Sequence, residues 1–377
     1  KNDADDCTYK KRSGTMCAKY PNDHSIRTGM LKQLSVKNLT LFPHEHQLQF
    51  AAGLNVFVGE NGTGKTHLMK AIYSLIATSE EASRKQNSPP TKTYLQNAHA
   101  DKLLGVFKPD TLGRLASRKQ GRSRCELTLH FKDPVFDTSI NFATNAQSDV
   151  QIEHLAEQWN TTKALFIPTR ELMTIYPGFV ALYDMHYVPF EETWRDTCVH
   201  LNVPQLKGRR TAAIADLLEP LENAMGGRIF LDKSGRFYLK SAAGNMEMQL
   251  VSEGLRKLAM LAQLISNGVL QENGYVFWDE PEANLNPKLI KLIAEVIYSL
   301  ANNGVQVFIA THSLFLLREL EIITSTKNEK SFSQRYFALK AEDESVSIEQ
   351  GDALTDLPTL VMLDEALQQS DRYMDLS

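Results

Sequence analysis

The sequence predicts an α/β fold, a mostly parallel sheet flanked by helices, and three observations carry that expectation. First, Leu54-Asn55-Val56-Phe57-Val58 is a nearly unbroken apolar run, the pattern of a strand buried on both faces. Second, a glycine-rich turn follows at once, and beyond Thr66 the residues Leu68, Met69, Ile72, Tyr73, Leu75 and Ile76 fall on one helical stripe. Third, the carboxyl-terminal part alternates a helix over 255–265, a strand over 275–278, a helix over 287–300, a strand over 305–310 and a helix over 314–320. Strands separated by helices in this way imply parallel pairing through crossover connections.

The remaining elements follow in chain order. Residues 1–29 hold almost no aliphatic side chain and are expected to be a disordered or non-native extension, with Met30 as the natural start. Alternation predicts short strands over 31–39 and 47–51, which with the phosphate-loop unit make an amino-terminal part spanning 30–92; residues 79–92 read as a polar loop. The stretch 93–245 mixes helical pieces with short strands at 126–131, 164–167, 228–231 and 236–240, and is expected to be an inserted lobe. Residues 246–340 form the carboxyl-terminal part of the sheet unit, in which Asn286 caps and Pro287 opens a helix with Leu289, Ile290, Ile293, Val296, Ile297 and Leu300 on one face. Residues 341–377 are an acidic tail, with ten acidic residues against Arg372.

Composition sets the limits. At 377 residues, 42% hydrophobic and with a formal charge of −4, the chain is long enough and apolar enough for a proper core, which excludes disorder throughout. Its longest apolar stretch, 258–270, is interrupted by Gln263, Ser266 and Asn267, short of the roughly 20 residues a membrane helix needs. Cys7, Cys17, Cys125 and Cys198 form no close pair, so a reducing, cytoplasmic setting is expected.

The chemistry is concentrated in three places. Gly59-Glu60-Asn61-Gly62-Thr63-Gly64-Lys65-Thr66 satisfies GxxxxGK[ST] between a strand and a helix. Its backbone N–H groups can curl around phosphate oxygens, Lys65 can reach the outer phosphates, and Thr66 can hold Mg²⁺. Val276-Phe277-Trp278-Asp279-Glu280-Pro281 ends an apolar strand in two carboxylates, Asp279 for the magnesium and Glu280 as general base toward an attacking water. Thr311-His312-Ser313 closes the next strand, where His312 can donate a hydrogen bond to a γ-phosphate.

Together with Val251-Ser252-Glu253-Gly254 and Trp278-Asp279-Glu280-Pro281-Glu282, these motifs resemble, in order, the RecF/SMC-like branch of the ABC ATPases. Within it the chain is similar to OLD-type ATPases and to those of the Septu and retron anti-phage systems, in its opening strand and in Ile167-Pro168-Thr169-Arg170-Glu171. The resemblance implies a P-loop NTPase fold of ABC-ATPase type and two ATP molecules with Mg²⁺ sandwiched in a head-to-tail homodimer or higher homo-oligomer. It implies nucleotide contacts from Asn61, Gly62, Thr63, Gly64, Lys65, Thr66 and His67 of one copy and from Ser252, Glu253 and Gly254 of another. Glu282 to Asn286 would communicate across that interface, Gln96 is the candidate for the glutamine that joins the metal to the inserted lobe, and Arg170 is a candidate for a nucleotide-proximal or interface role. In one departure, Glu253 stands where ABC transporters have glycine, and its charge would repel phosphate unless Arg256, Lys257 or magnesium offsets it.

The partner readings are a separately encoded effector regulated by ATP-driven dimerisation, in anti-phage defence, or DNA gripped directly as by a RecF-type repair ATPase. A slow, nucleotide-locked scaffold is the third reading. Lys102, Lys108, Arg114, Arg118, Lys119, Arg122 and Arg124, with Lys207, Arg209 and Arg210, supply basic clusters for DNA; the acidic tail, with a possible helix at Leu360, Leu363 and Leu367, could dock a basic effector. A Toprim nuclease is not expected, because no Asp-x-Asp follows His312, and His44-Glu45-His46 reads as a surface turn.

Overall fold

A computed structural model describes residues 29–117, 123–206, 208, 210–270, 273–326, 332–357 and 361–375. The extension 1–28, and Arg118, Lys119, Arg122, Lys207, Arg209 and Leu360 of the clusters and tail, lie outside the described residues. The chain opens with β1 (Leu31–Lys37), β2 (His46–Gln49), β3 (Leu54–Gly59), α1 (Lys65–Lys85) and α2 (Lys92–Phe107). It continues through β4 (Arg124–Phe131), β5 (Thr138–Ala143), β6 (Gln151–His154) and β7 (Ala164–Ile167). A helical stretch with a small hairpin sheet follows: α3 (Tyr176–Met185), α4 (Glu192–Leu201), α5 (Ala212–Met225), β8 (Gly227–Leu231), β9 (Phe237–Ser241) and β10 (Gly244–Glu247). The last third holds α6 (Glu253–Ser266), β11 (Tyr275–Asp279), α7 (Pro287–Asn302), β12 (Gln306–Thr311), α8 (Leu314–Thr326), β13 (Gln334–Ala341), β14 (Val346–Gly351) and α9 (Val361–Met374).

The central sheet has the order β14-β13-β3-β12-β11-β7, and among its described strands only β14 runs antiparallel to its neighbour. A five-stranded antiparallel sheet, β2-β1-β4-β5-β6, and the three-stranded β10-β9-β8 complete the sheets among the described residues. Because side chains alternate along each strand, the central sheet sorts its residues cleanly between two cores. Val56, Val58, Val276, Trp278, Val307 and Ile309 face one cluster, with α6, α7 and α8. Phe57, Tyr275, Phe277, Phe308 and Phe337 face the other, with α1, α2 and the antiparallel sheet. The second core is largely a ladder of rings across strands, with Phe277 and Phe308 stacked at 4.8 Å and Phe57 and Phe337 at 5.0 Å. Such cross-strand aromatic pairs fix register as well as burying area.

The structure departs from the sequence expectations in three places. The segment read as a polar loop from residue 79 continues α1 to Lys85, since Ala77, Glu80 and Ala82 are buried and Arg84 pairs with Glu80 one turn away. The stretch 93–245 is shared out: α2 lies along α1, β4–β6 extend the sheet begun by β1, β7 edges the central sheet, and α5 packs on α6 and α7. The tail contributes β14, paired with β13 from Tyr336↔Gly351 to Ala341↔Val346, before α9. Among the described residues no helix is long and apolar enough to cross a membrane.

Candidate nucleotide-binding site

Parallel pairing puts the carboxyl ends of β3, β7, β11 and β12 on one edge, the usual ligand edge of such sheets. The register is tight: Asp279 stands beside Ala310, Thr311 beside Val58, and Trp278 beside Ile167. The phosphate loop leaves β3 at Gly59 and enters α1 at Lys65. Gly62 and Gly64 take φ of +83° and +85°, a region L side chains rarely adopt, and Gly64 caps the helix. The loop is closed on itself by Thr63 Oγ1, which donates to the Glu60 carbonyl at 2.9 Å. Lys65 Nζ donates to the carbonyls of Gly59 and Glu60, both at 2.8 Å, and so stands over the cradle. Burial pulls its ammonium below the ordinary lysine value, against the opposing pull of Glu280, Asp279 and Glu282.

Thr66 Oγ1 donates to Asp279 Oδ1 at 2.8 Å, which joins the first turn of α1 to the end of β11. Burial raises the Asp279 carboxyl above the usual aspartate value, and the Thr66 bond works against that rise. The other oxygen, Oδ2, accepts from Thr169 Oγ1 at 3.2 Å, just past the end of β7. A carboxylate and two hydroxyls are hard oxygen donors of the kind Mg²⁺ selects, so the donor set fits the ion expected from the sequence.

Glu280 leaves the strand in a left-handed turn, φ +45°, with its N–H donating to Ala310 at 2.9 Å. Its Oε1 lies 3.1 Å from His312 Nδ1, so the base candidate and the imidazole are partners rather than separate contacts. Behind them the buried Glu282 accepts from Thr311 Oγ1 at 2.6 Å, while its Oε2 has no hydrogen-bond partner. Glu282 and Thr169 were not singled out as ligand-side residues by sequence. Their signal was position alone: each lies two or three residues past a strand that ends at this edge.

Ser252 and Glu253 open α6 and are exposed, and the Ser252 hydroxyl makes no cap bond. Glu253 Oε1 accepts from Asn284 Nδ2 at 2.9 Å, and a Cβ on Gly254 would stand 3.2 Å from the Asn284 carbonyl. The 282–286 segment and the 252–254 turn are therefore one surface. The expected charge offset beside Glu253 is arranged otherwise: Arg256 pairs with Glu171 at 2.7 Å and Lys257 turns inward to main-chain carbonyls. His67 faces the β1–β2 connection, its Nδ1 3.0 Å from Thr40 Oγ1 and its ring 5.7 Å from Phe107. Arg170 is exposed, next to Thr169. Gln96 is not brought to the metal side. The helix α2 runs antiparallel to α1, placing Phe107 beside His67 and Lys70. Gln96 is eleven residues back, about 16 Å along the axis, where its carbonyl accepts from Val150. A local polar pattern could not reveal which way α2 would pack.

Two family models match the chain. A family model described as "AAA ATPase domain" matches residues 30–175, and one described as "AAA domain, putative AbiEii toxin, Type IV TA system" matches residues 142–318. The head of an SMC protein bound to the C-winged helix domain of ScpA superposes with a TM-score of 0.53 at 13% identity, over 86% of this chain and 98% of that one. The chain has the P-loop ABC-type ATPase fold of an SMC head. A second SMC head, with an extended coiled coil and bound to the C-terminal domain of ScpA derived from Pyrococcus furiosus, gives 0.51 at 11% identity over 92% and 99%. Among curated relatives, the DNA replication and repair protein RecF of Cytophaga hutchinsonii is 44% identical over 48 residues, 13% of this chain and 12% of that protein. RecF of Streptococcus pyogenes serotype M5 is 28% identical over 117 residues, 31% of this chain and 27% of that protein. The chain thus spans about an eighth to a quarter of the length of these relatives. The phosphate loop falls in the first family match, and Asp279, Glu280 and His312 fall in the second.

Proposed function

We propose that the protein binds ATP with Mg²⁺ and hydrolyses it between two copies of the chain, and that the nucleotide-driven assembly regulates a separately encoded effector. The observation that carries the reading is the Thr66–Asp279 bond with the Glu280–His312 pair one residue away. The phosphate-loop amides and Lys65 hold the phosphates; Thr66 and Asp279 would hold the metal, which supplies charge neutralisation on the transferring phosphoryl group. Glu280 takes the proton of the attacking water, and His312 fixes the Glu280 carboxylate and presents its other ring nitrogen to the γ-phosphate. The first turn of α6 adds N–H donors and the Ser252 hydroxyl from the second copy.

The setting in anti-phage defence rests on the sequence resemblance to OLD-type, Septu and retron ATPases. A RecF-like grip on DNA is the second reading, favoured by the name of the curated relatives and by exposed Arg114 and Arg124. The test is ATP turnover and oligomer mass for wild type and Glu280→Gln, with and without DNA. Turnover should fall about 10²- to 10⁴-fold, the span of a general base, while ATP-dependent assembly persists. Normal turnover in the variant overturns the assignment, and salt-sensitive DNA binding by the isolated protein favours the second reading.

A further inference from the structure

Lys257 is a buried cation that the nucleotide chemistry does not use. It lies one turn past Ser252-Glu253-Gly254 on α6 and is 2% exposed. Burial pulls its ammonium down to about 8, although Glu282, Glu280 and Asp279 all pull it upward. A lysine so placed ordinarily pairs with a carboxylate. Here Nζ donates instead to two main-chain carbonyls, Glu280 at 2.9 Å and Ala283 at 3.3 Å.

The main chain it holds is unusual. Glu280 and Asn284 both adopt positive φ, +45° and +62°, without being glycine. Such conformations persist only where their surroundings enforce them. The enforcing bonds are the Glu280 N–H to Ala310, the Ala283 N–H to the Glu280 carbonyl at 3.0 Å, and the Lys257 ammonium. Of these main-chain bonds, the ammonium is the one supplied by the helix whose first turn carries the 252–254 residues, the same helix from which Glu253 reaches the Asn284 side chain. Its neighbour Arg256 ties the same helix to Glu171, two residues past Thr169.

We infer that Lys257 is a positioning residue that couples the seating of α6 to the attitude of Glu280. Docking of the 252–254 turn on a second copy's nucleotide then sets the general base of its own copy. The inference rests on the proposed roles of Glu280 and of the 252–254 turn. A shift of α6 reaches the Glu280 carbonyl through Lys257, and the carbonyl, N–H and Cα of that residue move together. The side chain bonded to His312 follows.

The experiment uses the full chain and the variants Lys257→Met, which keeps the length and removes the donors, and Lys257→Gln, which keeps an amide donor. The readouts are melting temperature, affinity for a fluorescent ATP analogue, kcat, KM, and ATP-dependent oligomer mass. Lys257→Met should hold KM and analogue affinity within about threefold and lower kcat at least tenfold, and Lys257→Gln should recover part of that loss. In a Glu280→Gln background, Lys257→Met should lower the residual rate no further, because both act through one group. Unchanged kcat, or losses that multiply in the double variant, overturns the inference. If Lys257→Met fails to fold, Lys257→Gln carries the same comparison; if both fail to fold or lose nucleotide affinity along with kcat, Lys257 holds the fold and the inference is wrong. Failure of wild type to hydrolyse ATP overturns the proposed function instead, and is seen before any variant is made.

Discussion

Gly62 and Gly64 offer a matched pair for testing how the phosphate loop is built. Both sit at almost the same positive φ, +83° and +85°, so alanine at either pays the left-handed backbone penalty, roughly 1–2 kcal/mol. Their surroundings differ. A Cβ on Gly62 meets nothing within 4 Å, whereas a Cβ on Gly64 would stand 2.8 Å from both Cε2 and Cζ of Phe42. Phe42 is 0% exposed and packed in the core that supports α1, so it has little room to retreat. Overpacking of this kind costs about 1–3 kcal/mol more. Gly62→Ala should therefore cost roughly 1–2 kcal/mol in urea unfolding and Gly64→Ala about 2–5 kcal/mol, with m unchanged. Gly64→Ala should also weaken binding of a fluorescent ATP analogue at least tenfold, because the first turn of α1 must shift to clear the ring. The decisive measurement is the coupling with Phe42→Ala. That change alone is destabilising, but it should remove the extra cost of Gly64→Ala, giving a favourable coupling of about 1–3 kcal/mol. Equal losses in the two glycine variants, or no coupling to Phe42, would refute the packing argument.

Further expectations concern the metal side, the buried histidine and the buried lysine network. Thr66→Val removes the hydroxyl that donates to Asp279, so magnesium-dependent ATP turnover should fall at least a hundredfold while metal-free analogue binding changes little; equal loss of both points to a misfolded loop. His99 is fully buried, its Nδ1 has no hydrogen-bond partner, and burial pulls its ring down to about 4. The unfolded ring takes a proton near 6.5 and the folded one only near 4, so stability is complete above 6.5 and falls as pH drops through that window. About 2 kcal/mol of this share is lost by pH 5, and His99→Phe should remove it, leaving the part of the fall in the urea midpoint between pH 7 and 5 that comes from His200, which burial also lowers to about 4. Lys102 Nζ satisfies Asp196, Glu192 and Glu81 at 2.7, 2.9 and 2.6 Å, so this acidic cluster already holds a cation. Lys102→Met should cost about 3–5 kcal/mol at neutral pH, and less as pH falls and the orphaned carboxylates protonate.

Which parts of the site could be read from sequence follows from how far each residue acts along the chain. The phosphate loop, Asp279-Glu280 and His312 each lie at the end of a strand that announces itself by an apolar run, and parallel pairing then brings all three to one edge without further information. Thr169 was out of reach for the opposite reason. Its strand, Ala164-Leu165-Phe166-Ile167, was legible, but its pairing with β11 is set by a contact more than a hundred residues away. The misplacement of Gln96 has the same origin, since the helix was recognisable in pattern while its direction against α1 depends on Phe107 meeting His67 and Lys70. The polar stretch after Ser79 shows a different failure. Glu80 is buried against the fold and paired with Arg84, so tertiary packing kept a helix that composition alone would have ended.

The acidic residue in the α6 turn can now be weighed by charge placement rather than by comparison of letters. A carboxylate at a helix N-terminus competes with any phosphate for the same N–H groups and the same positive dipole end. Glu253 does not direct its side chain there, because Oε1 is taken by Asn284 Nδ2 at 2.9 Å. The Ser252 hydroxyl makes no cap bond of its own, so the first turn of α6 retains the donors that a phosphate would need. The same bond joins Glu253 to a segment whose backbone is held one and four residues earlier by Lys257 on Ala283 and Glu280. An anion drawn to Ser252 therefore meets a surface already linked to the catalytic turn at two points, one polar and exposed, one cationic and buried. Asn284→Gly, which removes the side chain at a φ of +62° without the backbone penalty alanine would pay, releases the exposed link alone, and it should weaken ATP-dependent assembly without changing kcat of the assembled form. That split is open to measurement by turnover against protein concentration, and a fall in the plateau rate instead would place Asn284 on the catalytic side of the linkage.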